Sequence, residues 1–398
     1  MGDNDSCLSP RRIQETCLLL AVAVTALSCS SPSGDGDYTG VAYPNRRPSL
    51  EPGDHRLGYV ANLRSDSLSV VDLDEMQLLG TLPIGRDPVD LDGPRHVLLD
   101  LATDLAYVVL SYPDSIPSPH LQGAVQRSSY VQALHLSDLS VAADLRVDSG
   151  ANDIAFSPVS GALAATHYDL LKALQADPED RRTNLVLVDQ ASAIATGDAT
   201  ARRVPLCVAP TGIVFNAAGS RAYVACTGED AIAVVDSQTG EALSRVRAGV
   251  GLVNQPHAIL IDDERQRLVT ANWVASSLSV FELSDEPTLL TTLTVPGQPM
   301  FAAWLGESTL VAPFQEPGGA ALFDATSGEL LTQIQYTDEQ CEKPSEFRVL
   351  SDGRLMLVCE GSHYARPGAV VEVDPETLEV RSRVNVEIYP ERMSVFEP

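Results

Sequence analysis

The sequence predicts an all-β chain, a seven-bladed β-propeller whose first blade is completed by the C-terminal strand. Three observations carry that expectation. Short apolar runs with period-two alternation are broken by turn residues roughly every 8–12 positions, the pattern of strands in small antiparallel sheets. One four-strand unit is restated along the chain at a period of roughly 40–60 residues, as propeller blades require. The last residues of the chain repeat the opening of that unit rather than its end.

The elements follow in order. LGYVANLRSDSLSVVDLDEMQLLGTLPIGRDP (57–88) reads as strand, polar turn, strand ending in Val-Asp, turn and strand. RAYVACTGEDAIAVVDSQTGEALSRVRAGV (221–250) and RLVTANWVASSLSVFELSDEPTLLTTLTVPGQP (267–299) restate it. Val70-Val71-Asp72, Val186-Leu187-Val188-Asp189, Val234-Val235-Asp236, Leu322-Phe323-Asp324 and Val371-Glu372-Val373-Asp374 fall in equivalent slots. A further short strand precedes each unit, as in ANDIAFSP, APTGIVFN, QPHAILIDD and KPSEFRVLS. Seven units result, 57–87, 88–150, 151–206, 207–256, 257–299, 300–341 and 342–389, and the first lacks its opening strand. The tail PERMSVFEP (390–398) begins like QPHAIL and APTGIV, so it is expected to supply that strand. Six blades, or a stray tail, is the alternative. Splicing the ends together would leave no sheet edge unpaired. No long segment shows a sustained helical period; the exception is HYDLLKALQADPEDRR (167–182), where Leu170, Leu171 and Leu174 are placed to form one or two helical turns inside an insertion.

AYVAC with AVVDSQTGE, and GYVAN with SVVDLDEMQ, resemble the YVTN-type β-propeller repeats of secreted and surface bacterial proteins, over roughly residues 57–396. The resemblance implies the fold. It implies little about activity, because related propellers include cell-surface proteins, lactonase-like hydrolases and haem-bearing reductases. Outside the N-terminal segment the chain has Cys207, Cys226, Cys341 and Cys359, and four cysteines allow three pairings. Units four and seven lie far apart around a ring, out of disulfide reach. The expected bridges are therefore Cys207–Cys226 and Cys341–Cys359, each stapling the inner hairpin of one blade. Free or metal-bound thiols are the alternative, although neither spacing is CxxC. The bridges imply an oxidising compartment.

Upstream, Arg11 and Arg12 precede the apolar run CLLLAVAVTALS (17–28). That is a secretory signal pattern, and the run is shorter than the ~20 residues needed to span a bilayer. Ala26-Leu27-Ser28-Cys29 resembles a bacterial lipobox, which implies cleavage before Cys29 and acyl chains on it. An ordinary cleaved signal is the alternative. The expected organisation is a signal peptide over 1–28, a flexible tether over 29–56 and the propeller over 57–398. Ser30 after the cysteine points to the outer membrane or cell surface, with a periplasmic or secreted protein as alternative.

Charge excludes one class of partner. Twenty-seven Lys and Arg against 54 Asp and Glu give a net charge of −27, which repels a phosphate backbone, so no nucleic acid is expected. Membrane contact is expected through the lipid anchor alone. No CxxCH, GxSxG, HExxH, GxxxxGK[ST] or GxGxxG is present, so no catalytic residue, cofactor or metal is assigned. Propeller ligands usually sit where loops enter the inner strands and join the second and third. Asn62, His167, Asn272, Trp273 and Glu360 are placed there by the ends of second strands, with His257, Glu346 and His363 nearby. Insertions at 111–129 and 167–184 should raise one wall of that face. The expected function is a monomeric binding or interaction scaffold for a protein or carbohydrate-like ligand. The alternative is a propeller enzyme, a lactonase-like hydrolase or a redox protein with a non-covalent cofactor.

Overall fold

The computed structural model describes residues 54–86, 91–111, 128–197 and 199–398. The signal segment, Cys29 and nearly all of the tether lie outside the described residues, as does most of the first insertion. Seven antiparallel sheets form seven blades, and the C-terminal strand Pro390–Phe396 pairs with Leu57–Asn62 to complete the first. That blade continues outward through Ser67–Asp72 to Gln77–Pro83.

Burial explains the alternation read in the sequence. Strands near the middle of a blade are sandwiched between neighbouring blades, so Leu57–Asn62 and Ser67–Asp72 are buried at every position. Outermost strands such as Val380–Asn385 alternate between half-buried and exposed. The apolar core is accordingly a series of seams between sheets. Val60, Val71, Met356, Val358 and Met393, for example, pack together between the last blade and the first.

The recurring Val-Asp has a local cause. Asp72 accepts backbone N–H groups from Asp74 and Glu75, both at 2.9 Å. Asp236 does the same for Gln238 and Thr239, Asp324 for Thr326 and Ser327, and Asp374 for Glu376 and Thr377. The carboxylate closes the turn from third to fourth strand by satisfying amides the ladder leaves open.

Both expected disulfides are present, with Cα separations of 5.9 Å for Cys207–Cys226 and 5.2 Å for Cys341–Cys359. Their placement differs from the expected inner hairpins. Cys207 belongs to the outermost strand of blade 3, Ala201–Val208, and Cys226 ends the second strand of blade 4, Arg221–Cys226. The bridge therefore crosses from one blade to the next. Cys341 ends a helical turn, Asp338–Cys341, in the connection into blade 7, and Cys359 ends that blade's second strand. In both ladders the cysteine's register partner is a proline, Pro210 for Cys226 and Pro344 for Cys359. The bridging cysteine lies three residues earlier, where the chain has not yet joined the inner strand. The second insertion forms a helical turn, Leu170–Ala173, near the expected place.

Candidate binding site at the mouth of the axial channel

One backbone device builds the mouth repeatedly. Leu63, Ser111, Tyr168, Trp273 and Glu360, each just past a second strand, donate N–H to the carbonyls of Tyr389, Gly93, Gly150, Gln255 and Lys343. All five acceptor residues have positive φ, a conformation that turns the chain sharply into the inner strand and is uncommon for non-glycine residues. In four of these blades Pro follows, giving Tyr389-Pro390-Glu391-Arg392, Gly93-Pro94-Arg95-His96, Gln255-Pro256-His257-Ala258 and Lys343-Pro344-Ser345-Glu346. Equivalent backbone turns set Trp273 and Glu360 at one level. Glu391, Arg95 and His257 are alike in register, and Arg392, His96, Asp153 and Glu346 stand one residue deeper. Gly212 occupies that deeper position in blade 4, where an added Cβ would lie 2.9 Å from the Ile259 backbone nitrogen.

In the first layer Arg95 Nε lies 2.9 Å from one Glu391 carboxylate oxygen, and its Nη2 lies 2.5 Å from the other. The deeper layer is an ion cluster across the channel. Arg392 donates to Asp153 of blade 3, and its Nε lies 3.1 Å from Glu346 of blade 7. Its guanidinium stands 4.7 Å from the Phe301 ring centroid of blade 6. His96 Nδ1 lies 2.6 Å from Asp153 Oδ1, and the Ile213 amide donates to Asp153 Oδ2 at 3.1 Å. Arg348 Nη2 reaches Glu346 at 2.8 Å. Burial alone would raise the Asp153 pKa, but Arg392 and His96 hold it well below the usual carboxylate range. Burial, reinforced by the Arg392 charge, lowers that of His96. The imidazole is then neutral, with Nδ1–H donating to Asp153.

Above this cluster the mouth holds polar atoms without partners. The Glu360 side chain is 1% exposed; its Oε2 lies 2.5 Å from His363 Nε2, and its Oε1 is buried with no hydrogen bond. His363 stacks on Tyr389 at 3.7 Å between ring centroids, with 4° between planes. Trp273 Nε1 and Arg64 Nε are likewise buried without partners. The Arg64 guanidinium lies 3.8 Å over the ring of Tyr364, itself 73% exposed. His257 is half-buried, with Nδ1 3.3 Å from the Met300 carbonyl. Burial and then the nearby Arg95 push its pKa down to about 4, so it stays neutral with an acceptor nitrogen available.

The sequence-predicted residues divide. His257, Trp273, Glu360 and His363 belong to the mouth, and Glu346 to the ion cluster beneath it. Asn62 and Asn272 are buried inside blades 1 and 5, where each side-chain amide bonds two serines of the next strand, Ser67 and Ser69 or Ser277 and Ser279. His167 is buried in blade 3 with Nδ1 2.9 Å from the Asn184 carbonyl. Its charged neighbours are Asp148, Arg203 and Asp169, and burial lowers its pKa. Asn62, His167 and Asn272 end second strands, one residue before the position that faces the mouth. Arg64, Arg95, His96, Asp153, Tyr364, Glu391 and Arg392 were not singled out from the sequence. Several were within reach by aligning the x-Pro-x-x openings of the inner strands. Among the described residues, no three His, Cys, Asp or Glu side chains are grouped to hold a metal ion.

The fold and the axial site define a seven-bladed propeller with a charged channel and a polar mouth. No family model matches the chain, and no curated protein sequence matches it. Solved structures do. The periplasmic gluconolactonase PpgL of Pseudomonas aeruginosa matches with a TM-score of 0.64 at 13% identity, over 86% of this chain and 99% of that one. A putative 6-phosphogluconolactonase from Bacteroides fragilis matches with a TM-score of 0.60 at 10% identity, over 87% and 99%. The dihydro-haem d1 dehydrogenase NirN, solved in complex with DHE, matches with a TM-score of 0.55 at 16% identity, over 90% and 78%. These likenesses show the fold that this chain shares with them.

Proposed function

We propose that this is an exported propeller, tethered to the outer membrane or cell surface through an acylated Cys29, that acts as a binding scaffold for a polar ligand at the channel mouth. One observation carries the reading. Glu360 Oε1, Trp273 Nε1 and Arg64 Nε are buried polar atoms without partners, and such atoms cost about 1–3 kcal/mol each until they are satisfied. A ligand offering one donor and two acceptors, with a ring to lie against Tyr364 or Tyr389, would satisfy them. A carbohydrate-like molecule or a partner's loop has that chemistry. Export is supported by the two disulfides, which belong to oxidising compartments, and by the apolar leader.

The test is a thermal-shift and calorimetry screen of sugars, sugar acids and short peptides on the mature protein. A ligand is expected whose effect is lost in Trp273→Ala and Glu360→Gln; stabilisation by none of these classes would sink the scaffold reading. A second reading rests on His257, which is neutral and has Arg95 and Glu360 among its charged neighbours. That is the environment of a general base beside a cation, and two of the structural relatives carry lactonase names. Lactone hydrolysis abolished by His257→Asn would establish it.

A further inference from the structure

We propose that the ligand of the channel mouth carries a carboxylate, and that Arg64, steadied by the ring of Tyr364, receives it. The inference rests on the mouth being a binding site and adds the charge of what binds there. Arg64 follows the second strand of blade 1, and its turn is stitched to the segment that leads into the closing strand. Arg64 N–H donates to the Ile388 carbonyl at 3.3 Å, Leu63 N–H to that of Tyr389 at 2.8 Å, and Ile388 N–H to the Ser65 hydroxyl at 2.8 Å. Tyr364 comes from a braced loop of blade 7. There the Ser362 hydroxyl accepts the Ala365 and Arg366 amides at 3.0 and 2.7 Å, and Arg366 Nη2 reaches Asp338 at 3.1 Å and Glu342 at 2.6 Å. Both residues are therefore held in place without a ligand.

Neighbouring arginines are neutralised by carboxylates: Arg95 by Glu391, Arg392 by Asp153 and Glu346, Arg366 by Asp338 and Glu342. Arg64 is not. Its Nε is buried without a hydrogen bond, and no carboxylate among the described residues lies within ion-pair distance of its guanidinium. Acidic residues outnumber basic ones in this chain, 54 to 27, so the missing partner does not reflect a shortage of acids. Stacking on Tyr364 covers one face of the guanidinium. It leaves the N–H groups in the guanidinium plane free to form a two-bond fork with a carboxylate. Tyr389 does not compete as an anion, because burial raises its pKa well above the ordinary value and the phenol beside Arg64 stays neutral. Glu360 and Glu391 also stand close to Tyr389, so a single negative charge suits the site better than a phosphate dianion.

The test is isothermal titration of the mature protein with two matched pairs, galacturonate against galactose and benzoate against benzamide, at constant ionic strength. In at least one pair the carboxylate is expected to bind about tenfold or more tightly than its neutral twin. Arg64→Met should remove that preference and Arg64→Lys should keep part of it, with circular dichroism confirming that both variants fold. Equal binding within both pairs, or a preference that survives Arg64→Met, would overturn the carboxylate inference and leave the scaffold reading standing. Loss of the neutral twin together with the carboxylate in Arg64→Met would mark a structural role for Arg64 and overturn it too, as would tighter binding of inorganic phosphate. If no member of either pair binds, the inference falls, and the wider screen of sugars and peptides decides the scaffold reading separately.

Discussion

Arg392 joins buried carboxylates that come from two different blades. It meets Asp153 and Glu346 and stands over Phe301, so one residue touches blades 3, 6 and 7 from a strand that belongs to blade 1. Removing a buried guanidinium strands its carboxylates in a low-dielectric interior, which typically costs about 3–5 kcal/mol. Arg392→Met is therefore expected to lower the urea midpoint by an amount of that order. Arg392→Met combined with Asp153→Asn should cost less than the sum of the two single variants, because the stranded charge is gone. Additive losses would show that the pair is not coupled. None of this was legible residue by residue: Arg392 and Asp153 lie far apart in the chain, and only the ring brings them within bonding distance.

At the scale of the element, the blade was the most legible unit. Alternating apolar runs and the recurrent Val-Asp marked strand and turn, and the aspartates prove to be turn-closing acceptors. The cysteine pairs were legible as pairs, since Pro210 and Pro344 start the strands that hairpin back to their partners. Their exact position was not. A three-residue offset moves Cys207 out of the inner strand and into the neighbouring blade, and the spacing of 19 residues cannot distinguish the two placements. Cys207–Cys226 is thus a seam between blades, whereas Cys341–Cys359 ties a connection to its own blade. Chain-entropy arguments put each bridge at roughly 3 kcal/mol. Replacing either pair with serine should lower the thermal midpoint, and mild reduction of the native protein should produce a similar decrease. An unchanged midpoint in both would show that the bridges add nothing to stability.

Across the whole molecule, the neutral histidines make stability depend on pH in a definite direction. The folded-state pKa of His257 is about 4, against the ordinary 6.5, so the unfolded chain binds the proton more readily. Stability from this group is complete above pH ~6.5 and falls as pH drops toward 4, by on the order of 2–3 kcal/mol. His96 and His167 shift in the same direction. The depressed carboxylates act later: Asp374, at about 2, contributes stability above the ordinary carboxylate range and loses it as pH falls through its folded value. Denaturation midpoints should therefore fall between pH 7 and 4.5, and His257→Gln should flatten part of that slope. A profile flat down to pH 5 in the parent protein would contradict the buried, neutral assignment. The seven-part ring was legible because its repeat is written in every blade. The mouth was legible only in part, because its chemistry comes from single positions that differ in each blade.

The closing strand also sets a schedule. Leu57 pairs with Phe396, so among the described residues the first strand of the ring waits for its last. At synthesis rates of about 5–20 residues per second that delay is roughly 20–70 seconds. Throughout it blade 1 has an open inner edge, and the channel lacks the arginine that ties its far sides together. A chain that must pass through a membrane pore before folding gains from such a delay, since the ring cannot lock until its final strand has emerged.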